Sequence, residues 1–431
     1  MKRSVTALRS RQERAAEVAR VEVQVPLPLL GALHEVRERF FSLCVSAGKQ
    51  VLGAMMEQDR TALCGPKWAP NPERAGYRHG TAPGAITLGG RRITIERPRA
   101  RSVDAATELE LPSFRFAADR DPLDERTMEA IAVGISTRKY ARSLEPLPPA
   151  EVEHAVSRSA VSRRFVALST QFMREWLSAD VSAIGIVSIL IDGIAFRGHT
   201  ILIALGVACD GLKHVLGLRE GSTENAAVAK ALLADLVERG LPTDRPILFV
   251  IDGGKGIHKA VVDLFGELAV IQRCQVHKKR NVLDHLPESM HPNVSRVLSQ
   301  AYESHDAAVA RRQLQALARS LDEDHPGAAA SLREGLDEVL TLQRLGIGGA
   351  LYRTLRSTNA IENLNGSVAA FTRNVRRWRN GAMIVRWVAT ALRHASRGFR
   401  RIRGHSDLKL LLRALQEART TKTMDRTKKV A

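Results

Sequence analysis

Residues 187–193 read VSILIDG and residues 246–253 read PILFVIDG. In both, β-branched and large aliphatic residues run on without polar alternation, the pattern of a central strand covered on two faces. Each run then stops at an Asp-Gly pair, which places Asp192 and Asp252 at the carboxyl ends of two strands. Ligands of open α/β sheets gather at that end, because strands and crossovers leave a crevice there. Two such acidic ends can face one cavity.

Working outward, residues 185–277 alternate strand and helix signals. Strands are expected at GIVSILIDG, TILIALGVAC and HVLGLRE, then a helix at NAAVAKALLADLVERG, a strand at PILFVIDG, a helix at IHKAVVDLFG and a strand at AVIQRCQ. Three strands, a crossover helix, a strand, a helix and a strand make a mixed sheet with both faces covered, the order of a ribonuclease H-like core. The fold class expected is therefore an α/β core of this kind, with an all-helical insertion and mainly helical flanking regions. Residues 278–355, rich in Ala, Leu, Arg and Glu, supply the insertion. A further helix begins near Asn359 and carries Glu362 in its first turn.

Upstream, Leu30, Leu33, Val36, Phe40 and Cys44 recur at helical spacing and predict one or two amphipathic helices over 27–63. ITLGGRRITIE places Gly89 and Gly90 between two alternating runs, a two-residue hairpin turn. The surrounding Arg91, Arg92, Arg97, Arg99 and Arg101 are expected on an exposed ribbon, either solubilising or contacting phosphate. Segments 124–145 and 154–170 carry signals of helix-turn-helix units. In the second, Ser159, Ser162, Arg163 and Arg164 can face a groove while Val161 and Phe165 pack inward; a plain helical connector fits nearly as well. The organisation expected is an N-terminal helical region with a hairpin over 1–120, a DNA-binding region over 121–180, the core over 181–277 and 356–415, the insertion over 278–355, and a disordered basic tail over 416–431.

The chain has 431 residues, 44% of them hydrophobic, and a formal charge of +19. That length exceeds one ordinary core and suggests two or three domains, and the charge predicts binding to polyanions through phosphate neutralisation. No apolar run approaches a membrane span, and the basic start MKRSVTALRSRQER lacks the apolar core of a secretory signal, so a cytoplasmic, nucleoid-associated protein without a membrane partner is expected. The four cysteines are scattered and form no CxxC pair, which argues against a disulfide framework. Cys274 and His277 are two residues apart, but no second ligand pair completes a zinc site. A packing or positioning role suits them better.

Each carboxylate has a simpler reading. Asp192-Gly193 can be a type I′ hairpin turn, FVIDGGKG can be a phosphate loop around Lys255 although the GxxxxGK[ST] spacing is missing, and Glu362 can close a capping box begun at Asn359. Together these readings leave unexplained why two acidic strand ends and an acidic helix start gather in a basic chain. Three close carboxylates resist ionisation unless cations sit between them. Oxygen-only ligands select hard ions, Mg²⁺ with Mn²⁺ able to substitute, and a pair of such ions about 4 Å apart suits in-line phosphoryl transfer.

Asn363 to Ser406 contains no acid but ten arginines, among them Arg373, Arg376, Arg377 and Arg379. A solvated face normally mixes signs, so this stretch reads as a polyanion surface. Trp378 and Trp387 lie within it, and core packing suits them better than stacking on a base.

The blocks ILIDGIAFRGH, GSTENAAVAKALLADLVERG, ILFVIDGGKGIHKAV, IQRCQVHKKRNVLDHLP and LRSTNAIENLN, in this order, resemble those of bacterial insertion-sequence transposases of the Mutator-like family, also called the IS256 family. The resemblance spans roughly residues 75–415 and implies a ribonuclease H-like catalytic domain with a helical insertion before the last acidic residue. It maps an acidic triad onto Asp192, Asp252 and Glu362 as metal ligands, and a Cys-x-x-His block onto Cys274 and His277 as support for the site. It also implies 3′-hydroxyl strand transfer on double-stranded DNA, acting on terminal inverted repeats and target DNA as at least a dimer. Two alternatives stay open on the residues alone: a non-catalytic DNA-binding regulator and a nucleotide-dependent enzyme. Sixty residues separate the aspartates and 110 separate Asp252 from Glu362, an interval the helical insertion accounts for.

Overall fold

In the computed structural model, the described residues are 36–69, 72–119, 128–131, 135, 139–140, 153–154, 158–196, 198–221, 225–373, 375 and 377–430, with side chains described over 43–420 of these except 153–154. The first helix-turn-helix segment, 124–145, and Arg376 fall largely or wholly outside them. The chain divides into two compact units, Met1–Leu168 and Ser169–Ala431.

The first unit is built on one long helix, α1 (Val36–Cys64), and a hairpin, β1 (Gly76–Leu88) and β2 (Arg91–Ser102). Pairing closes at Leu88↔Arg91, and Gly89 and Gly90 have φ of 59° and 83°, the left-handed pair that a type I′ turn demands. A Cβ on Gly90 would also meet the Tyr140 hydroxyl at 2.1 Å. Gly90→Ala is accordingly expected to destabilise this unit by about 1–3 kcal/mol, read as a lower midpoint in its thermal unfolding. Short strands β3 (Glu108–Leu109) and β4 (Glu153–His154) both pair with β2, and α2 (Pro112–Asp119) follows β3. The core joins Val45, Leu52 and Met56 of α1 to Ile86, Ile93, Ile95 and Leu111.

Two expectations change here. The buried face of α1 is set by Val45, Leu52 and Met56, whereas Cys44 is exposed, because the hairpin and not the local spacing decides which stripe is covered. The hairpin arginines are not a uniform exposed ribbon: Arg91 is buried, and Arg97 and Arg99 each bond Glu108 at 2.8 Å. The helix α3 (Arg158–Leu177) is continuous. It buries Val161 and Phe165 and exposes Ser159, Ser162 and Arg163, with Arg164 partly covered. The division between units falls inside α3, and therefore within the 121–180 region read from the sequence as one element.

The second unit is a five-stranded mixed sheet wrapped by helices. Its strands are β5 (Ile186–Phe196), β6 (His199–Ala208), β7 (Lys213–Gly221), β8 (Ile247–Ile251) and β9 (Ala269–Arg273), in the order β7-β6-β5-β8-β9. The first three pair antiparallel, and β8 and β9 join parallel. The crossovers α4 (Ala226–Glu238) and α5 (Lys255–Phe265) cover one face, where Ile189, Ile191, Leu202 and Phe249 meet Leu232, Leu233, Ile257 and Val261. Side chains alternate along a strand, so Leu190 and Asp192 belong to the other face. That face is covered by α13 (Asn359–Thr372) over β5 and α14 (Gly381–Ser396) over β7.

Between β9 and α13 the chain is wholly helical. The helices are α6 (Gln275–Leu283), α7 (His291–Glu303), α8 (Ala307–Ser320), α9 (Pro326–Arg333), α10 (Leu336–Val339), α11 (Thr341–Arg344) and α12 (Gly349–Leu355). They enclose a core of their own around Leu298, Tyr302, Leu314 and Leu332. Buried amides fasten this module to the edge strand β9: the Gln272 side chain donates to the Val339 carbonyl at 2.8 Å and accepts from the Leu342 amide at 3.0 Å. The exposed edge that a terminal strand presents is thereby covered. The last helix, α15 (Leu408–Val430), takes in residues 416–430 of the segment read as a disordered tail. That segment has no Gly or Pro to interrupt a helix.

Candidate active site

Asp192 is not at the end of its strand. β5 continues to Phe196 and pairs with β6 as far as Phe196↔His199, so Asp192-Gly193 is mid-strand and no hairpin turn forms there. What ends at Asp192 is the parallel ladder, whose last pair is Ile191↔Ile251. The next residues on the two strands are Asp192 and Asp252, which the register sets side by side across a strand spacing of about 4.8 Å.

Asp252 opens the turn into α5, and its Oδ1 accepts the Gly254 amide at 2.8 Å. The one carboxylate thus uses an amide that a phosphate loop would need, and Lys255 beyond it is exposed. Little is left of the nucleotide-loop reading.

Glu362 comes from α13, near enough for its charge to act on Asp192. The capping box expected from Asn359 does not form, because the helix is capped one residue earlier, at Thr358, with no side-chain cap bond, and the Thr358 amide donates to Cys274 Sγ at 3.4 Å. The Thr358 hydroxyl donates to Glu362 Oε1 at 2.6 Å and lies 3.3 Å from both Cys274 Sγ and His277 Nδ1. His277 Nδ1 is itself 3.8 Å from Glu362 Oε1. Cys274 holds the β8 end in turn, its amide donating to the Ile251 carbonyl at 2.7 Å.

Electrostatics tie these groups into one cluster. Burial pushes the Asp192 carboxyl up to about 6, and the negative charges of Asp252 and Glu362 add to that effect while the Gly193 amide and His277 oppose it. The hydrogen bond with Cys274 holds His277 at about 9 against the effect of burial, helped by Glu362 and Asp252. Burial raises the Cys274 thiol, yet the bonds from His277 and Thr358 outweigh it and keep the thiol below its ordinary value. Cys274, His277 and Glu362 offer donor atoms all within 4.8 Å of one another.

Two members went unread in the sequence. Asn365 donates from Nδ2 to Asp192 Oδ2 at 2.8 Å, while its Oδ1 is buried with no hydrogen-bond partner. Thr358 is fully buried. The signal for Asn365 was its place three residues after Glu362, which sets both on neighbouring positions of one helix face. No local pattern marks Thr358.

Beyond the cluster, Arg373, Arg377 and Arg379 are exposed. Trp378 is anchored edge-on against Phe196 with ring centroids 5.3 Å apart, and Trp387 packs on Phe371 at 6.2 Å. Both tryptophans are packing residues. Phe196 lies four residues along β5 from Asp192, about 13 Å by strand rise, so Trp378 ties the arginine segment to the strand that carries Asp192.

Residues 38–401, which include this sheet, the helical module and the arginine segment, match the family described as Transposase, Mutator family. The chain belongs to the Mutator family of transposases. Among its relatives is the transposase for insertion sequence element ISRM5 of Rhizobium meliloti, 28% identical over 346 residues covering 79% of this chain and 83% of the relative. The transposase for IS6120 of Mycolicibacterium smegmatis is 29% identical over 249 residues, 56% of this chain and 74% of the relative. The transposase for IS256 in transposon Tn4001 of Staphylococcus aureus is 24% identical over 358 residues, 79% and 87% respectively. In this member of the Mutator family, no helix among the described residues is long and apolar enough to cross a membrane.

Proposed function

We propose that this chain is a DNA transposase that binds the terminal inverted repeats of its insertion sequence and cuts and joins DNA strands, using a ribonuclease H-like core and two Mg²⁺ ions. The observation that carries the reading is that Asp192 and Asp252 follow the last pair of two parallel strands, and that Glu362, on a helix packed over β5, lies near enough for its charge to act on Asp192. A sheet ordered β7-β6-β5-β8-β9 with helices on both faces supports the ribonuclease H-like assignment.

The donor set fits hard divalent cations. A carboxylate at about 6, flanked by two more acids, is a site short of positive charge, and the orphaned Asn365 Oδ1 is a buried acceptor waiting for a donor. Asp192, Asp252 and Glu362 would hold the ions. When bound, such ions activate an attacking hydroxyl and stabilise the leaving oxygen of an in-line displacement at phosphorus.

The protein's own groups set the stage for that chemistry. Asn365 holds Asp192, the Thr358 hydroxyl holds Glu362, and His277, protonated at neutral pH, offsets part of the acidic charge. Cys274 accepts the amides of His277 and Thr358, a positioning role that leaves the pair short of the four ligands of a zinc site. Arg163, Arg373, Arg377 and Arg379 present exposed guanidiniums to phosphates, with Arg164 and Arg376 assigned to the same task from the sequence. Synapsis of two element ends calls for at least a dimer on DNA. Incubating the protein with DNA bearing its element's ends and Mg²⁺, and mapping the nicks, tests the reading: cleavage away from the element ends, or none, overturns it.

Asn365→Ala should lower divalent-cation affinity and strand cleavage by roughly 10- to 100-fold, the usual effect of removing a group that orients a ligand. Calorimetric titration with Mn²⁺ checks this without DNA, and an unchanged affinity would remove Asn365 from the site.

A further inference from the structure

A cleft of about 630 Å³ lies between α13, α14 and the start of β7, lined by Leu364, Phe371, His394, Phe399, Lys213 and Arg397 among others. It is distinct from the carboxylate cluster. Ala360, Asn363, Ser367 and Phe371 line it from α13, and at 100° per residue that face is opposite the one bearing Glu362 and Asn365, across a helix about 10 Å wide.

Three features indicate its ligand. Among the described residues the lining contains no carboxylate, and apart from Lys213 and Ala360 it comes from the acid-free stretch Asn363 to Ser406. Aromatic faces are gathered there: Phe371 lies 5.8 Å from the His394 ring, and Lys213 Nζ sits 4.8 Å from the centroid of Phe399. Lys213 is half-buried, and no described residue gives it a carboxylate partner. An ammonium withdrawn from water without a counter-charge is unfavourable, so the cleft is built for something anionic that also offers a flat apolar face. Exposed Arg400, Arg401 and Arg403 follow directly, so a backbone of several phosphates can be tracked beyond the cleft.

We propose that this cleft holds one unpaired nucleotide of a DNA strand, its base against Phe399 and His394 and its phosphate on Lys213 and Arg397. The inference rests on the DNA-transposase reading for its substrate, but not on metal or catalysis. Stacking and cationic tracking of this kind suit single strands of any sequence.

The test is fluorescence anisotropy of full-length protein, without divalent metal, using a short fluorescein-labelled oligothymidylate and a blunt duplex. Phe399→Leu keeps apolar volume but removes the aromatic face, and Lys213→Gln removes the charge from a position where misfolding is not expected. Each should weaken oligothymidylate binding about 5- to 10-fold and leave duplex binding within about twofold. Thymidine monophosphate should compete poorly. Equal losses on both probes, no loss on either, or displacement by the mononucleotide at concentrations comparable to the oligonucleotide would each overturn the assignment. If wild-type protein binds neither DNA, the DNA-transposase reading itself fails; if it binds both and the variants are unaltered, only the cleft is lost.

Discussion

Asp192→Asn is expected to abolish strand cleavage and joining, by about a thousandfold or more, while leaving DNA-end binding unchanged and making the metal-free protein more stable. The first effect follows from the several kcal/mol that metal-held charge contributes to such a displacement. The second follows from the proposed assignment of the phosphate contacts to the exposed arginines and not to the carboxylates. The third is a matter of sign. The Asp192 carboxyl is raised from 3.8 to about 6 in the folded chain, so folding favours its protonated form. Above about pH 6 the ionised group opposes folding, and the metal-free protein should gain stability as pH falls from about 7 towards 4. A shift of this size corresponds to roughly 2–3 kcal/mol at neutral pH, which an uncharged isostere recovers while still accepting from Asn365. Divalent cation should stabilise the wild type above pH 6 and lose that effect below it, since protons compete for the ligand. Thermal unfolding of both proteins with and without Mg²⁺, from pH 4 to 8, reads all of this; a variant that cuts DNA, or that is less stable than wild type without metal at pH 7, contradicts the assignment.

Replacing Arg373, Arg377 and Arg379 together by alanine is expected to weaken DNA binding by about a hundredfold at moderate salt. Each phosphate neutralised contributes about 0.9 to the slope of log affinity against log salt, so the triple variant should bind with a slope shallower by roughly 2.7 if all three make contact. The loss should be similar for any duplex sequence, since phosphate contacts carry no base information. Trp378, held on Phe196, keeps the segment in place, so the effect is one of charge. Salt titrations on wild type and variant measure it; an unaltered slope would show that these exposed arginines face solvent and not DNA.

Much of the fold is visible in local pattern because burial on both faces leaves a local trace. VSILI and PILFVI are apolar runs, interrupted only by the buried Ser188, because helices lie above and below them, and Gly89-Gly90 marks a turn because few residues tolerate two consecutive positive φ values. The buried face of α1 was misplaced for the converse reason. Its sequence offers more than one apolar stripe, and the hairpin chooses between them.

The site divides along the same line. Residue identity alone determined that acids would stand beside paired aliphatic strands and that an acid-free basic stretch would follow, since hydrophobic runs and charge bias are properties of the chain read in order. Only the tertiary structure decided that Asp192 is mid-strand, that α13 crosses β5 to bring Glu362 across an intervening helical module, and that Thr358 and Asn365 hold the two carboxylates. Those facts depend on register and on hydrogen bonds between residues 84 and 173 positions apart. Contacts of that range are set by packing the whole sheet, and leave no mark on the residues next to them.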